Sequence, residues 1–321
     1  MGPITLAPHY ISPVWGGPRI AQARGLAWTE RNTLGESFDV SAHPGVEATV
    51  ASGPCAGMPF GDFLHAHRDE VLGDVPEDQT IQIVSMDARQ NLSVQVHPAE
   101  ADAWRMEGDH GKVEAWYVLA ASEGATLIAG CSTSDTHALR AAAADDTIGT
   151  RFGERVAVAE GDFVLIPPGT LHALGAGIFA VEVGSLGNTT YRLCDWGRGR
   201  ELHVDKGFAV LDCSSKPTVN HLGAYRTPTR NRTCPGTRSD FFAVTVADVA
   251  DRMEFACNGR YAVVTCVGGS ARVGVAEGSA LLQYTESCVI PAAAHTYSVT
   301  GPCRALISVR TTTSTVPEEH L

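Results

Sequence analysis

Four side chains able to bind a metal ion lie in or beside short apolar segments of the chain. Gln95 and His97 are two residues apart in LSVQVHP, where alternating apolar residues predict a β-strand. Side chains two apart on a strand point to the same face, so the amide and the imidazole should face the same way. Glu114 begins the apolar segment EAWYVLA, and His172 follows the Pro-Gly turn of IPPGTLHALG.

Together these residues offer two imidazoles, one carboxylate and one amide oxygen. Two histidines and a carboxylate form a common open zinc site, in which water or substrate takes the remaining position. A single histidine on a strand is more often a structural residue than a ligand, so the prediction depends on the combination of segments. The sequence therefore predicts one divalent-metal site, with zinc favoured by the ligand set and manganese, iron or cobalt left open.

A second part of the chain repeats the pattern around His172. The segments EGDFVLIPPGTLHALGAGIFAVEV and YTESCVIPAAAHTYSVTGPCRALISV both run turn, strand, Ile-Pro, small residues, His and strand, which indicates an internal duplication. The second copy carries His295 but no counterpart of the Gln-x-His and Lys-x-Glu segments, so we expect it to be chemically silent. Other histidines are expected on the surface or in loops: His43, His65, His67, His110, His137, His203, His221 and His320.

The elements that must position these residues are mostly strands. Short β-rich segments separated by Gly, Pro and Asp favour antiparallel sandwiches or barrels over alternating β-α-β units. Two stretches predict helices, MPFGDFLHAHRDEVLG and STSDTHALRAAAADDT. We expect a mainly β protein with a few short helices, divided into an N-terminal metal-binding domain with helical insertions (residues 1–205), a linker or wrapping loop (206–240) and a C-terminal domain without the metal ligands (241–321).

Composition limits the possible partners and the compartment. The 321-residue chain has a net charge of −12 and an apolar fraction of 44%, so it can build cores but favours neither nucleic acid nor anionic membranes as partners. No apolar run approaches the roughly 18 residues that span a membrane. The N-terminus lacks the basic start and apolar block of a secretory signal. The nine scattered cysteines, with no CxxC pair, are expected to be reduced and mostly buried, as in a cytoplasmic protein.

Several segments give the chain a resemblance to type I phosphomannose isomerases of the small bacterial form, which are built from cupin jelly rolls. The most specific segments are LSVQVHP and TTYRLCDWGR, accompanied by VWGG, LGESFDVSAHPG, GKVEAWYVL and EGDFVLIPPGTLHALGAG, and together they are spread over residues 14–198, which is most of the chain. The resemblance implies two cupin-type jelly-roll domains. It also implies that the four residues named above bind the metal and that Arg192 and Lys112 have catalytic roles.

The same segments supply candidate substrate contacts. Arg198 is a cation of the Tyr-Arg segment, and the planar fork of an arginine suits a phosphate group. The alternative for Arg198 is a surface ion pair with Asp195. Trp15 and Glu36 belong to VWGG and LGESFDV, and we expect both to border the substrate, although core packing is the alternative for Trp15.

Two positions depart from the usual pattern of that family. Ser85 stands where a lysine is usual, and Asn188 lies in a segment that usually carries glutamines and a Ser-Asp pair. Either these positions vary without consequence, or they change which sugar is held and whether it carries a phosphate.

The resemblance implies an aldose–ketose isomerase that interconverts mannose 6-phosphate and fructose 6-phosphate by proton transfer between C1 and C2. The metal would polarise the substrate oxygens, Arg192 or Lys112 would stabilise the enediolate, and Lys112 or a metal-bound water would carry the proton. The alternatives are an isomerase or epimerase for an unphosphorylated or modified sugar, and a metal cupin that only binds sugar. We expect a monomer or homodimer.

Overall fold

β-Strands form most of the regular structure of the computed structural model, which describes residues 1–31 and 33–311. His320 lies outside the described residues. Numbered in chain order, the strands are β1 (Ile4–Ala7), β2 (His9–Ile11), β3 (Glu36–Val40), β4 (Thr49–Val50), β5 (Gln82–Asp87), β6 (Val94–Val96), β7 (Glu114–Ala121), β8 (Thr126–Cys131), β9 (Gly153–Ala157), β10 (Asp162–Ile166), β11 (His172–Ala173), β12 (Ile178–Gly184), β13 (Tyr191–Cys194), β14 (Thr218–His221), β15 (Arg232–Arg238), β16 (Phe242–Val249), β17 (Arg252–Ala256), β18 (Ala262–Gly269), β19 (Ala271–Val275), β20 (Gly278–Leu282), β21 (Ser287–Ile290), β22 (Thr296–Thr300) and β23 (Cys303–Arg310).

Short helices connect or flank the strands. In the part of the chain that the structure describes, the α-helices are α1 (Arg19–Ala23), α2 (Phe60–Ala66), α3 (Arg68–Val71), α4 (Glu100–Glu107), α5 (Thr136–Ala144), α6 (Ile148–Arg151) and α7 (Val204–Val210). Both predicted helical stretches are confirmed, one as α5 and the other as α2 and α3, which are separated at His67. The Asp135 side chain begins α5 by accepting hydrogen bonds from the backbone N–H groups of His137 and Ala138, at 3.1 and 3.0 Å. Within the described ranges, no helix has the length and hydropathy needed to cross a bilayer.

Two antiparallel sheets form the N-terminal sandwich. The larger has the strand order β14-β10-β7-β12-β5-β3-β2, and the smaller has the order β13-β6-β11-β8-β9. Their inner faces share a core that includes Val84, Trp116, Leu127 and Ile166. The outer face of the smaller sheet is covered by α5, α6 and α7, which contact β13. This arrangement leaves the space between the sheets as the place where polar side chains from both can meet.

A second sandwich repeats this topology. Its larger sheet has the order β15-β16-β23-β18-β21-β1-β4, and its smaller sheet has the order β17-β22-β19-β20. The run β16-β23-β18-β21 corresponds to β5-β12-β7-β10, and β17-β22-β19-β20 corresponds to β6-β11-β8-β9. The match agrees with the internal duplication predicted from the sequence. His295, the counterpart of His172, immediately precedes β22 and is exposed.

The larger sheets of the two sandwiches pack against each other. Tyr117 and Phe163 of the first and Val244 and Val263 of the second belong to one buried cluster. Apolar residues therefore fill both faces of these central strands, which explains why segments such as EAWYVLA show little alternation.

The segment 206–240 contains regular structure where the sequence favoured a linker or a wrapping loop. β14 completes the larger sheet of the first sandwich, whereas β15 completes that of the second, and Asn220 joins them by donating hydrogen bonds to the carbonyl oxygens of Pro235 and Gly236 at 3.0 and 2.9 Å. Both are edge strands with largely exposed side chains, so their polar sequences carried no apolar alternation to reveal them. β1 and β4 of the N-terminal region also belong to the second sandwich. The domain boundaries at residues 205 and 240 stay a prediction.

Candidate functional site

Strand pairing places three polar residues in one row on the smaller sheet of the first sandwich. Gln95 on β6 lies directly opposite both His172 on β11 and Arg192 on β13. Directly opposed residues of antiparallel strands project from the same face. Glu114 approaches from the other sheet at the start of β7, and His97 follows the last residue of β6. The fold therefore brings the four residues predicted as metal ligands together between the sheets.

The ligand-type atoms of this group are close and buried. One atom each of His97, Glu114 and His172 lies within 4.8 Å of the others. Glu114 Oε1 is 3.2 Å from His172 Nε2, and Glu114 Oε2 is 3.6 Å from His97 Nε2. Gln95 Nε2 is 3.4 Å from His172 Nε2, and a half-turn of the amide would exchange this nitrogen for the oxygen. Two ring nitrogens, a carboxylate and an amide oxygen can thus reach one point.

Backbone carbonyls fix the orientation of both imidazoles. His97 Nδ1 is 2.9 Å from the carbonyl oxygen of Thr189, and His172 Nδ1 is 2.8 Å from that of Thr170. A carbonyl oxygen only accepts, so each Nδ1 carries the proton and donates it. Each Nε2 is left with a lone pair directed at Glu114, which is the usual arrangement of histidines that bind metals.

The electrostatics of the cluster suit a cation. His97 Nε2 and Glu114 Oε1 are buried without a hydrogen-bond partner among the described residues, and such an unsatisfied group costs about 1–3 kcal/mol. Burial lowers the pKa of His172 to about 4, so this imidazole is neutral near pH 7. Burial acts to raise the pKa of Glu114, but Lys112 and the two imidazoles bring that pKa well below its ordinary value. An anionic oxygen and a ring nitrogen that both lack hydrogen-bond partners fit a divalent metal ion.

A cavity of about 230 Å³ lies beside the cluster, between the two sheets. Its polar lining includes Gln95, His97, Lys112, Glu182, Arg192 and Arg200. Its apolar lining includes Ile11, Trp15, Phe38, Val46, Val84 and Met86. The cavity thus combines a charged wall with an apolar wall, as sites for small polar molecules generally do.

Lys112 connects the cluster with the cavity. Its Nζ is 3.2 Å from Glu114 Oε2 and 2.7 Å from Glu182 Oε1, and its side chain is 9% exposed. Burial alone would lower the pKa of Lys112, but the two carboxylates raise it above its ordinary value. Lys112 is therefore a buried cation at neutral pH, a state that suits stabilisation of negative charge better than acceptance of a proton.

The arginines of the Tyr-Arg segment take different positions. Arg192 and Arg200 line the cavity, and the Nη2 of Arg200 is 2.5 Å from Asp195 Oδ1. Arg198 is not among the lining residues. Its Nε and Nη1 donate hydrogen bonds to the carbonyl oxygens of Asp195 and Asn91 at 2.8 and 3.0 Å. The structure therefore directs Arg200, rather than Arg198, into the cavity.

Trp15 and Glu36 both lie on the cavity wall. Trp15 is buried, so it shapes the wall and packs in the core at the same time. Glu36 is half-buried, and burial raises its pKa to about 7 although the positive charges of Lys112 and Arg200 act to lower it. A carboxyl group that titrates near neutrality thus faces the space where a substrate would sit.

The two departures from the family pattern lie in different places. Asn188 lines the cavity. Ser85 does not, because its neighbours Val84 and Met86 face the cavity and strand side chains alternate. The Ser85 hydroxyl instead donates a hydrogen bond to Asp39 Oδ2 at 2.7 Å. A direct effect of Ser85 on the bound sugar is therefore not supported.

Glu182 and Arg200 are cavity residues that were not predicted from the sequence. Glu182 is the charged residue of β12, which is otherwise apolar and completely buried, and this setting was an available signal. Its Oε2 accepts a hydrogen bond from Trp116 Nε1 at 3.4 Å. Arg200 follows Arg198 by two residues in irregular backbone, where spacing gives no information on direction.

Comparisons with known proteins agree with the fold and identify the family. A family model described as "Mannose-6-phosphate isomerase, cupin domain" matches residues 234–310. The mannose-6-phosphate isomerase of Streptococcus mutans is 31% identical over 316 residues, which cover 95% of this chain and 98% of that protein. The mannose-6-phosphate isomerase ManA of Bacillus subtilis is 33% identical over 236 residues, or 68% of this chain and 72% of that protein. The crystal structure of the mannose 6-phosphate isomerase from Bacillus subtilis shares the fold with a TM-score of 0.84 at 26% identity, covering 96% of this chain and 100% of that one.

Two jelly-roll sandwiches and a buried His-Glu-His cluster define a cupin-fold protein with a candidate divalent-metal centre. The coverage and sequence identity of the matches also identify the family: the chain belongs to the mannose-6-phosphate isomerase family. The resemblance inferred from the motifs LSVQVHP and TTYRLCDWGR is thereby confirmed.

Proposed function

We propose that this protein is an isomerase that interconverts mannose 6-phosphate and fructose 6-phosphate and that uses one zinc ion per chain. The observation that carries the proposal is the buried cluster of His97, Glu114 and His172 beside a cavity that two arginines line. Relatives that match almost the whole chain bear the name mannose-6-phosphate isomerase, which supports the same reaction.

The zinc ion would be held by the four residues predicted from the sequence: Gln95, His97, Glu114 and His172. Two imidazoles, one carboxylate and one amide oxygen suit zinc, and manganese, iron and cobalt accept the same ligand types. When bound, the metal supplies Lewis-acid polarisation of the substrate's carbonyl and hydroxyl oxygens.

Arg192 and Lys112 are assigned the stabilisation of negative charge on the reacting oxygens. Arg192 lies opposite Gln95 in the strand row, so it adjoins the metal ligands, and Lys112 contacts Glu114 directly. Cations already in place when charge develops lower the barrier without reorganisation. Arg200 lines the same cavity and is assigned the phosphate group, for which a guanidinium fork is well shaped.

Proton transfer between C1 and C2 requires a group that both takes and returns a proton near neutral pH. Glu36 meets this requirement, because its pKa is raised to about 7 and it faces the cavity. Lys112 does not, because two carboxylates hold it in the charged form. We therefore assign the transfer to Glu36, and the apolar wall that includes Trp15 would limit access of water to the reacting carbons.

The test of this function is a coupled assay of zinc-loaded protein with mannose 6-phosphate and, separately, with free mannose. Turnover of the phosphorylated sugar, lost in metal-free protein, is the expected result. Turnover of free mannose alone would favour an isomerase or epimerase for an unphosphorylated sugar. Binding of both sugars without turnover would favour a non-catalytic sugar-binding cupin.

We also propose that the protein works in the cytoplasm as a monomer or homodimer, without nucleic-acid or membrane partners. All nine cysteines lie in the described residues as free thiols, which suits a reducing compartment. The net charge of −12 disfavours binding to phosphate backbones. Light scattering of the purified protein decides the oligomeric state.

A further inference from the structure

Two loops that border the cavity are fastened to each other. Residues 109–113 lead into β7 and carry Lys112, and residues 185–190 lead into β13. Ser185 donates a hydrogen bond from its hydroxyl to the carbonyl oxygen of Gly111 at 2.8 Å. Gly187 packs so closely on the first loop that a Cβ atom there would lie 2.2 Å from the carbonyl oxygen of His110. The position of each loop therefore depends on the other.

The Asp109 carboxylate holds the second loop near the point where it enters β13. Its Oδ2 accepts hydrogen bonds from the Thr189 hydroxyl at 2.6 Å and from the Asn188 N–H at 3.2 Å. Its Oδ1 accepts from the N–H of His110 at 2.7 Å, and His43 Nε2 lies 3.4 Å away. Both oxygens thus act as acceptors, which a carboxylate can do and an amide cannot.

Thr189 transmits this restraint to the metal cluster. Its hydroxyl donates to Asp109, while its carbonyl oxygen accepts the Nδ1 proton of His97 at 2.9 Å. The carbonyl keeps the proton on Nδ1, so Nε2 presents its lone pair to Glu114. Within the described residues this Nε2 is buried and has no hydrogen-bond partner.

We propose that Asp109 is a positioning residue of the metal centre, which acts by holding Thr189 so that its carbonyl orients His97. Asp109 does not line the cavity, and its effect passes through the loop. The inference rests on the proposed metal-binding function. Groups that hydrogen-bond a metal-ligating histidine change metal affinity about 10–100-fold when they are replaced. Asp109 holds the Thr189 carbonyl that makes this bond to His97, so we expect an effect in the same range.

The experiment compares the zinc dissociation constants of wild type, Asp109→Asn and Thr189→Val by competition with a chelator. Thr189→Val keeps the carbonyl and removes only the hydroxyl link, which keeps the proposal testable if Asp109→Asn folds poorly. Asp162→Asn is the matched control, because the Asp162 carboxylate makes the same kinds of contact away from the metal cluster. It accepts a hydrogen bond from the backbone N–H of Ala159 at 2.8 Å, and it lies 2.8 Å from His221 Nδ1. The absorption spectrum of cobalt-loaded protein and the Tm are recorded for every variant.

We expect Asp109→Asn to bind zinc about 10–100-fold more weakly than wild type and to show an altered cobalt spectrum. Thr189→Val should lose less zinc affinity, and Asp162→Asn should behave like wild type. Unchanged zinc affinity in folded Asp109→Asn would overturn the inference, and so would an equal loss in Asp162→Asn. Failure of the wild type itself to bind zinc would instead overturn the proposed function, so the two failures are distinguishable.

Discussion

Gln95 and His172 lie directly opposite each other on β6 and β11, with Gln95 Nε2 3.4 Å from His172 Nε2 although 77 residues separate them. Strand register, rather than proximity in sequence, therefore sets the geometry of the metal centre. A slip of one residue would turn the side chain of Gln95 to the helix-covered face of the sheet. Gln95 also pairs with Arg192 on β13, so the strands on both sides of β6 fix its register.

Replacing His172 by Ala should abolish stable metal binding. The substitution removes a neutral nitrogen ligand from a buried site, so the loss of metal affinity should exceed the ~10–100-fold effect of replacing a residue that only hydrogen-bonds a ligand. Metal analysis after dialysis against buffer checks this. His221→Ala, at an exposed histidine of the same sandwich, is the control and should retain the metal. Equal metal content in His172→Ala and wild type would show that the ligand set is wrong.

Replacing Arg192 by Ala should reduce kcat by about 100–1,000-fold while the metal content stays at the wild-type level. The reason is that Arg192 stabilises charge in the reaction and is not a ligand. Steady-state kinetics and metal analysis of the same preparation separate the two effects. A parallel loss of metal and activity would mean that Arg192 supports the metal site instead.

Replacing Arg200 by Ala should weaken inhibition by inorganic phosphate and raise KM for mannose 6-phosphate, because Arg200 lines the cavity. Arg198→Ala should have the smaller effect, because Arg198 donates its hydrogen bonds to backbone carbonyls outside the cavity lining. Inhibition constants for phosphate provide the comparison. A larger effect in Arg198→Ala than in Arg200→Ala would indicate that Arg198 contacts the phosphate.

Replacing Lys112 by Met should destabilise the metal-free protein. Its removal leaves the buried carboxylate of Glu114 without its cation, and it also removes the contact to Glu182, whose pKa burial raises to about 8. Loss of one partner from a buried charge cluster typically costs about 3–5 kcal/mol. The free energy of unfolding from urea denaturation measures this. Lys206→Met, which breaks an exposed pair with Glu107, should cost no more than about 1 kcal/mol. Similar losses in both variants would contradict the assigned environment of Lys112.

Glu36 should make the stability of the metal-free protein depend on pH. Its pKa rises from an ordinary value of 4.5 to about 7 on folding, so the folded state binds more protons between those values. Stability must therefore fall as the pH rises through this window, by at most ~3 kcal/mol at about 1.4 kcal/mol per pKa unit. Glu36→Gln should be more stable than wild type at pH 8 and equal to it at pH 4, as urea denaturation at both values would show. A constant difference across the pH range would argue against a raised pKa.

The sequence was most informative where chemistry and periodicity coincide. Gln95 and His97 two apart on a strand, and His172 after a Pro-Gly turn, predicted a meeting point because unpaired polar groups inside a sandwich are costly. The placement of β4 in the second sandwich and of β14 in the first was not predictable in this way, because both are edge strands, which need little apolar pattern. The choice of Arg200 over Arg198 depends on the path of an irregular loop, which no periodicity records.

The most direct test of the metal centre is a titration of metal-free protein with zinc, with isomerase activity on mannose 6-phosphate measured at each step. Activity should rise in proportion to added zinc and level off at one ion per chain. Full activity before any metal is added, or bound zinc at that stoichiometry with no turnover of the sugar phosphate, would contradict the proposed link between the cluster around Glu114 and the reaction.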